Sequence, residues 1–493
     1  MPRQRTIFLK TKPRSSPYRI LVWMGLILAG FMTIRGITID HTIQPFFSPT
    51  PTPTRTMRSY QQEADTYFKI GNLEQAIVSY KEVIRQNPES VDLLAQLARI
   101  EVYSSASMST DQQKLDRLNQ ALQYADQAVA LGPESSTAHA VRAFVLDWLS
   151  SNKLLTPVDS EKDLEEGENE ATRATQLDPN NAEALAYSAE ILADRQQWIR
   201  AEQVVQQALD RDPNSMDVHR IYGYVLTTLA QYEQAITEYQ KASAINPNLT
   251  FLYIDIGQLQ RLLWSKTSAD VDPKKKDGYF TDAMQSFQKA ANINNNINVQ
   301  DPIPYMAMAR SLAQRGDLGD FFMSQLYMKQ ALQLDPTNPD TYAQLGIIYQ
   351  QSRNFEGAIE AFQCALDGCD AQTSCDVRRD CSTNTTTTVK SMELSDTTLT
   401  YYYSYGSVLA GMSTPGNNYC SRASKIFTLL RSKYGRDTNV MAIVQAGESI
   451  CSAPAPAQTA TPLTGTGTPP TQPAPASTPT QPALQPSPTG AGG

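Results

Sequence analysis

An all-α solenoid is predicted by three observations on the 493-residue chain. Pro179, Pro213 and Pro247 are each 34 residues apart, and each sits in a D-P-N or N-P-N step that follows helical apolar spacing. A fixed period of this length means stacked supersecondary units, each unable to bury its apolar face alone. Aligned on those prolines, 57–90, 182–215, 216–249 and 339–372 match position by position without insertions. Finally, small residues recur at position 8 and at position 20, as Ala64 and Ala76, Ala189 and Ala201, Gly223 and Ala235, and Gly346 and Ala358. Small residues there let two antiparallel helices approach closely, while large residues at positions 4, 7, 11 and 24 fill the space between neighbouring pairs. The closing proline stops the second helix, and the Asn or Asp beside it can cap the next.

Four further units appear once insertions are allowed. The interval from position 8 to position 20 stretches between Ala98 and Ala121, Ala143 and Gly167, Gly257 and Ala283, and Ala309 and Ser324. Each insertion falls between the first and second helix, which predicts turns grown on one edge of the stack. One such insertion is acidic (Asp159, Glu161, Asp163, Glu165, Glu166, Glu168, Glu170) and one basic (Lys274, Lys275, Lys276). They read as solvated loops or as a second contact surface. A degenerate ninth unit carries Tyr402, Tyr405, Gly406, Leu409, Ala423 and Phe427, followed by a capping helix from about Asn439 to Ile450.

With these residues the chain resembles the tetratricopeptide-repeat (TPR) family, whose pattern is an aromatic, L-G, Y, A-x-x-x-F and a closing proline. Residues Tyr342, Leu345, Gly346, Tyr349, Ala358 and Phe362 carry it most fully. The resemblance implies a right-handed TPR solenoid of about nine helix-turn-helix units with a concave groove lined by the first helix of each unit. Its positions 2, 5, 9, 12 and 13 then nominate Arg58, Gln61, Asp65 and Lys69, Glu183 and Glu190, Asp217, Arg220 and Tyr224, and Asp340 and Gln350 as partner-binding residues. The Lys-Asn-Asn-Lys-Arg carboxylate clamp of chaperone-binding relatives is missing from these positions.

The N-terminus supplies an address. Residues 1–19 hold six basic residues and no acid, whereas the rest of the chain carries a formal charge of −14, against −8 for the whole. From Ile20 to Ile34 no residue is charged, and the apolar character resumes after Arg35 as far as Ile39. A helix over 20–39 is about 30 Å long, enough to cross a bilayer once. The basic flank places the N-terminus in the cytoplasm and the body outside. A cleaved signal peptide is the rival reading, and it exports the body equally. The first cysteine is Cys364, so no thiol near the N-terminus is available for a lipid anchor.

Residues 40–56 are rich in Pro and Thr and read as an extended spacer. Residues 452–493 contain 11 prolines, nine threonines and no charge, so a disordered tail is expected, either a passive terminus or a wall spacer or glycosylated stalk. Repeats 1–8 should occupy 57–370, a Cys/Thr-rich insertion 371–397, and the ninth unit with its cap 398–451.

The six cysteines, Cys364, Cys369, Cys375, Cys381, Cys420 and Cys451, predict three disulfides in an exported chain. Cys420 with Cys451 is the expected pair at one end of the ninth unit. The other four are expected to staple the threonine-rich thread 369–398 onto the last regular repeat. No C-x-x-C knuckle or histidine beyond His219 supports a metal site. His139 and His219 occupy position 4, a packing position, and no nucleophile, zinc-protease or phosphate-loop motif occurs. The negative net charge argues against nucleic-acid binding. A non-enzyme is therefore expected, with no cofactor and no small-molecule substrate. It would be a scaffold at the outer face of the cytoplasmic membrane that binds a protein or peptide in its groove. The alternative is a structural component of a cell-envelope or secretion assembly that uses edge loops and tail.

Overall fold

The computed structural model describes residues 16–38, 55–382, 386–414 and 416–452. The basic segment before residue 16, the Pro/Thr spacer and the C-terminal tail therefore lie outside the described residues, together with the readings placed on them. Helix α1 (Pro17–Thr38) comes first, and its stretch Pro17–Arg35 is long and apolar enough to cross a membrane, with a mean hydropathy of 1.5. Its described side chains are almost all exposed, among them Trp23, Leu26 and Phe31.

The body then runs as helix pairs, helix A followed by helix B. Repeat 1 is α2 (Met57–Ile70) and α3 (Leu73–Gln86), and repeat 2 is α4 (Val91–Ser105) and α5 (Asp111–Leu131). Repeat 3 is α6 (Ser136–Ser150) and α7 (Pro157–Leu177), and repeat 4 is α8 (Ala182–Asp194) and α9 (Trp198–Arg211). Repeat 5 is α10 (Met216–Thr228) and α11 (Tyr232–Ile245), and repeat 6 is α12 (Thr250–Lys266) and α13 (Pro273–Asn296). Repeat 7 is α14 (Ile303–Arg315) and α15 (Asp320–Leu334), and repeat 8 is α16 (Pro339–Gln351) and α17 (Phe355–Leu366). A short α18 (Ala371–Arg378) precedes α19 (Leu399–Gly411), α20 (Cys420–Tyr434) and α21 (Thr438–Ser452). No strand longer than an isolated bridge occurs among the described residues.

Local chemistry explains where the helices start and how they pack. Asn72, Ser135, Asn181, Ser215, Asn338 and Asn354 each accept a backbone N–H from the first turn of the helix they precede. Gly223 and Gly346 lie against the rings of Tyr239 and Phe362, so an added Cβ would fall 2.8 and 2.7 Å from them. The position-8 glycine is thus the seat of the position-24 aromatic.

The insertions depart from expectation. They lengthen helix B as well as the turn before it: α5 and α7 have 21 residues and α13 has 24, against 14 in α3, α9 and α11. The acidic run 159–170 accordingly lies on α7. Capped by Thr156 and started by Pro157, it keeps one face toward Arg142 and Arg195, which pair with Glu166, Glu170, Glu161 and Glu168. The Lys274–Lys276 run opens α13, where the Lys276 ammonium donates to the Thr267 carbonyl and lies 5.5 Å from the Trp264 ring centroid.

Two edges of the solenoid meet after one superhelical turn. Asn248 at the end of repeat 5 donates to the Lys69 carbonyl in repeat 1 (2.9 Å), and Ser109 in repeat 2 bonds the Asp335 carboxylate at the end of repeat 7. Asn338 returns a bond to the Ser109 carbonyl. These two edges therefore touch repeats four and five units further on.

The cysteines are paired Cys364–Cys369, Cys375–Cys381 and Cys420–Cys451. The first joins α17 of the last regular repeat to the start of the threonine-rich thread, and the second closes a local loop within it. Backbone adds to this: Cys369 and Val389 exchange both N–H···O bonds (3.1 and 3.0 Å) within the thread, and the Met392 N–H bonds the Ala365 carbonyl of α17 (2.9 Å). Arg378, fully buried, anchors the segment by donating to the Tyr342 hydroxyl (2.8 Å) and the Asp380 carboxylate (2.9 Å).

A second compact unit begins at Gly406. In it Phe427 of α20 is buried between Gly406 and Gly447, Arg431 pairs with Glu448 (2.6 Å), and the Cys420–Cys451 bond joins the start of α20 to the end of α21.

Candidate interaction site on the inner face

Helix A of repeats 2 to 6 turns its inner side chains toward one another. Phe144 stacks on Tyr187 with ring centroids 4.5 Å apart, and Tyr103 stacks on Phe251 at 5.4 Å and tilts against Phe144 at 5.7 Å. Threaded through these rings is an ionic network. Arg220 donates to both oxygens of Glu190 at 2.7 Å each and lies 5.1 Å from the Phe144 centroid and 5.7 Å from that of Trp148. Arg99 donates to Glu183 (2.6 Å) and faces Asp217 (3.6 Å), whose carboxylate also accepts the Tyr103 hydroxyl. Tyr224 donates to Asp194.

Acids outnumber bases here. Asp147, Glu183, Glu190, Asp194, Asp217 and Asp255 surround two arginines, and the consequence is electrostatic. Burial, then the neighbouring Asp194 and Glu190, push the Asp147 carboxyl well above its ordinary value. Burial pushes Asp194 up to about 6 and Asp255 up to about 7, with Glu190 adding to both. Among the described residues, one Asp147 oxygen and the Tyr187 hydroxyl have no hydrogen-bond partner, in keeping with a carboxyl that holds its proton.

This placement corrects the expected groove. Glu190, Asp217 and Arg220 are buried, the first and last 4% exposed, and bond one another rather than solvent. The reason is the winding: side chains that would face an open channel in a gently curved stack meet across a narrow one. Tyr224 and Glu183 are half-buried in the same network, while Arg58 and Lys69 remain exposed and Gln61, Asp65, Asp340 and Gln350 half-exposed. Asp65 accepts the Tyr80 hydroxyl, and Asp340 accepts from Tyr401 at 2.9 Å and from Gln344. The structure thus brings Glu183, Glu190, Asp217 and Arg220 together and leaves the residues of repeats 1 and 8 apart from them.

The position-4 residues share one task. His139 and His219 each face the carbonyl of the preceding closing proline with Nε2 (3.0 and 2.9 Å) and a helix-B glutamate, Glu170 or Glu238, with Nδ1. Tyr253 and Tyr342 reach the equivalent proline carbonyl with their hydroxyls at 3.0 and 3.1 Å. The histidines are stitched into the repeat like the tyrosines.

Tetratricopeptide repeat models match residues 58–90, 161–215, 189–249 and 327–360, stretches that take in helices A and B of the pairs described above. The chain carries tetratricopeptide repeats. Such repeats build protein–protein interaction scaffolds, and this TPR solenoid has that architecture. Among solved structures, a monomeric mutant of IFIT1 with m7Gppp-AAAA superposes at a TM-score of 0.50 with 14% identity, covering 81% of this chain and 82% of that one. The human IFIT1 dimer with PPP-AAAA gives 0.49 and 14% over 80% and 84%. A thermophilic TPR protein of Thermus thermophilus gives 0.34 and 18% over 42% and 100%. At these identities the likeness is one of fold. No curated protein matches the chain in sequence.

Sequence reasoning missed the cationic residues of repeats 6 and 7. Gly257 and Ala309 at position 8 make Arg261 position 12 and Arg310 position 9, both lining positions by the rule used for the other repeats.

Proposed function

We propose that this TPR protein is a non-catalytic scaffold, anchored by α1 with its N-terminus in the cytoplasm and its body on the extracytoplasmic side, and that it holds a protein partner on the inner face of its later repeats. The observation that carries the reading is the closed inner face of repeats 2 to 6. With those side chains occupied by one another, the later part of α12 and helix A of repeats 7 and 8 are the stretch that receives a partner, and Arg261, Arg310, Asp340 and Gln350 lie on it. The three disulfides favour an oxidising compartment, in agreement with the basic N-terminal flank.

A photo-activatable residue at Gln350, compared with one at the exposed Gln206 on helix B of repeat 4, tests the reading in intact cells. A discrete cross-linked polypeptide from Gln350 alone is expected; cross-links from Gln206 alone would overturn it. The second reading, an envelope-assembly component using its outer edge, draws on the exposed Leu318, Phe322 and Leu326 beside and along α15. Cross-links confined to Phe322 would support that one.

A further inference from the structure

Four cationic side chains stand apart from the ion-pair network. Lys114 belongs to α5, Lys153 to the turn between α6 and α7, Arg261 to α12 and Arg310 to α14. They are distant in sequence and are gathered by the superhelical winding. Ser109, at the entry to α5, bonds Asp335 and Asn338, which draws repeat 2 onto repeats 7 and 8. Asn152, next to Lys153, donates to the Asp111 carbonyl at 3.1 Å, which fixes the turn of repeat 3 beside α5. A cavity of about 210 Å³ opens there, lined by Asp111, Lys114, Trp148, Asn152 and Lys153 among others.

The four groups feel one another. Burial first, and then Lys153 and Arg310, hold the Lys114 ammonium below its ordinary value despite Asp111 and Asp340. Burial and then Arg310 do the same to the Arg261 guanidinium. Yet among the described residues none of the four side chains forms an ion pair or a hydrogen bond. The contrast with Arg99, Arg142, Arg195, Arg220 and Arg315 is plain, since each of those is held by at least one carboxylate. Two acids lie near them, Asp111 and Asp340, the latter also accepting from Tyr401 and Gln344, so positive charge is in excess. Like charges gathered in excess of their counter-charges cost the free protein stability and raise the local concentration of anions.

We propose that this patch binds an acidic segment of a protein partner, its carboxylates seated among Lys114, Lys153, Arg261 and Arg310. The proposal rests on the scaffold reading above and names the chemistry of the partner. Carboxylates in a short run fit better than a nucleic-acid backbone. Four cations in one patch match a short run of carboxylates, whereas the formal charge of −8 on the whole chain repels a continuous phosphate backbone.

The test uses the full-length protein in detergent with fluorescent octaglutamate, octalysine and Gly/Ser octapeptides. Octaglutamate alone should bind, more weakly as salt rises. Arg261→Gln with Arg310→Gln, and separately Lys114→Gln with Lys153→Gln, should each weaken it by about tenfold or more, as loss of charge-assisted hydrogen bonds does. Arg310→Lys should keep most of the affinity, and both double variants should melt at or above the wild-type temperature because they relieve repulsion. Equal binding of octaglutamate and the neutral peptide, undiminished binding by the variants, tighter binding of single-stranded RNA, or a lower melting temperature would each overturn the assignment. If that happens while the Gln350 cross-link persists, the acidic ligand alone is wrong; loss of the cross-link overturns the scaffold reading itself.

Discussion

Arg220 grips Glu190 through two hydrogen bonds of 2.7 Å, with both side chains buried and the guanidinium 5.1 and 5.7 Å from the ring centroids of Phe144 and Trp148. Removing one partner strands a charge in the interior. Arg220→Ala should therefore destabilise the solenoid by about 3–5 kcal/mol, whereas Arg220→Met combined with Glu190→Leu should cost far less. Urea unfolding followed by helical circular dichroism checks both. A mild effect of the single change would show that the network is solvated.

The acid-rich interior makes stability depend on pH with a definite sign. Asp255, Asp194 and Asp301 hold their protons in the folded state up to about 7, 6 and 6, above the usual carboxylate range, with burial the largest cause in each. The unfolded chain releases those protons near pH 4. The folded state therefore binds more protons between about pH 4 and pH 7, so their contribution is complete below pH 4 and is lost as pH rises through 6 and 7. Melting temperature should fall across that window and level off above it. Asp255→Asn, which cannot ionise, should flatten the upper part of the slope.

At Gly346 a Cβ would fall 2.7 Å from the Phe362 ring, which is itself fully buried. Gly346→Ala should cost about 1–3 kcal/mol through overpacking, and Gly346→Ala with Phe362→Leu should recover part of it. Thermal melts of the two variants decide this. Full additivity would mean that the two positions do not touch.

Within the second unit, the Cys420–Cys451 bond closes 31 residues of sequence around Phe427. Replacing both cysteines by serine should cost that unit about 3–4 kcal/mol by the chain-entropy argument. Hydrogen exchange should speed up over α20 and α21 and leave α2 to α5 unchanged. Uniform acceleration would contradict a separate second unit.

The fold was legible because its cause is periodic. Gly223 and Gly346 seat Tyr239 and Phe362, and the closing prolines accept from His219 and Tyr342, all within one repeat or at its border. Such short-range relations leave a 34-residue signature. The inner face left no comparable mark. Ser109 and Asp335, or Tyr103 and Asp217, meet only because of the superhelical pitch, which accumulates from small rotations at every repeat. Position rules could name Arg220 and Asp217 as inward-facing but could not say that they face each other. Helix length was hidden for a related reason: whether 159–170 forms a loop or extends α7 depends on Arg142 and Arg195 arriving from neighbouring helices.

The closed inner face and the cationic patch both depend on repeat 2 meeting repeat 7, so the contact between Ser109 and Asp335 is the relationship to test. Cysteines placed at both positions, in the full-length protein with its native disulfides intact, should form an intramolecular disulfide rapidly under mild oxidation and raise the melting temperature. Failure to form it, at rates no faster than a control pair at Ser109 and Gln206, would show an open superhelix and contradict the account.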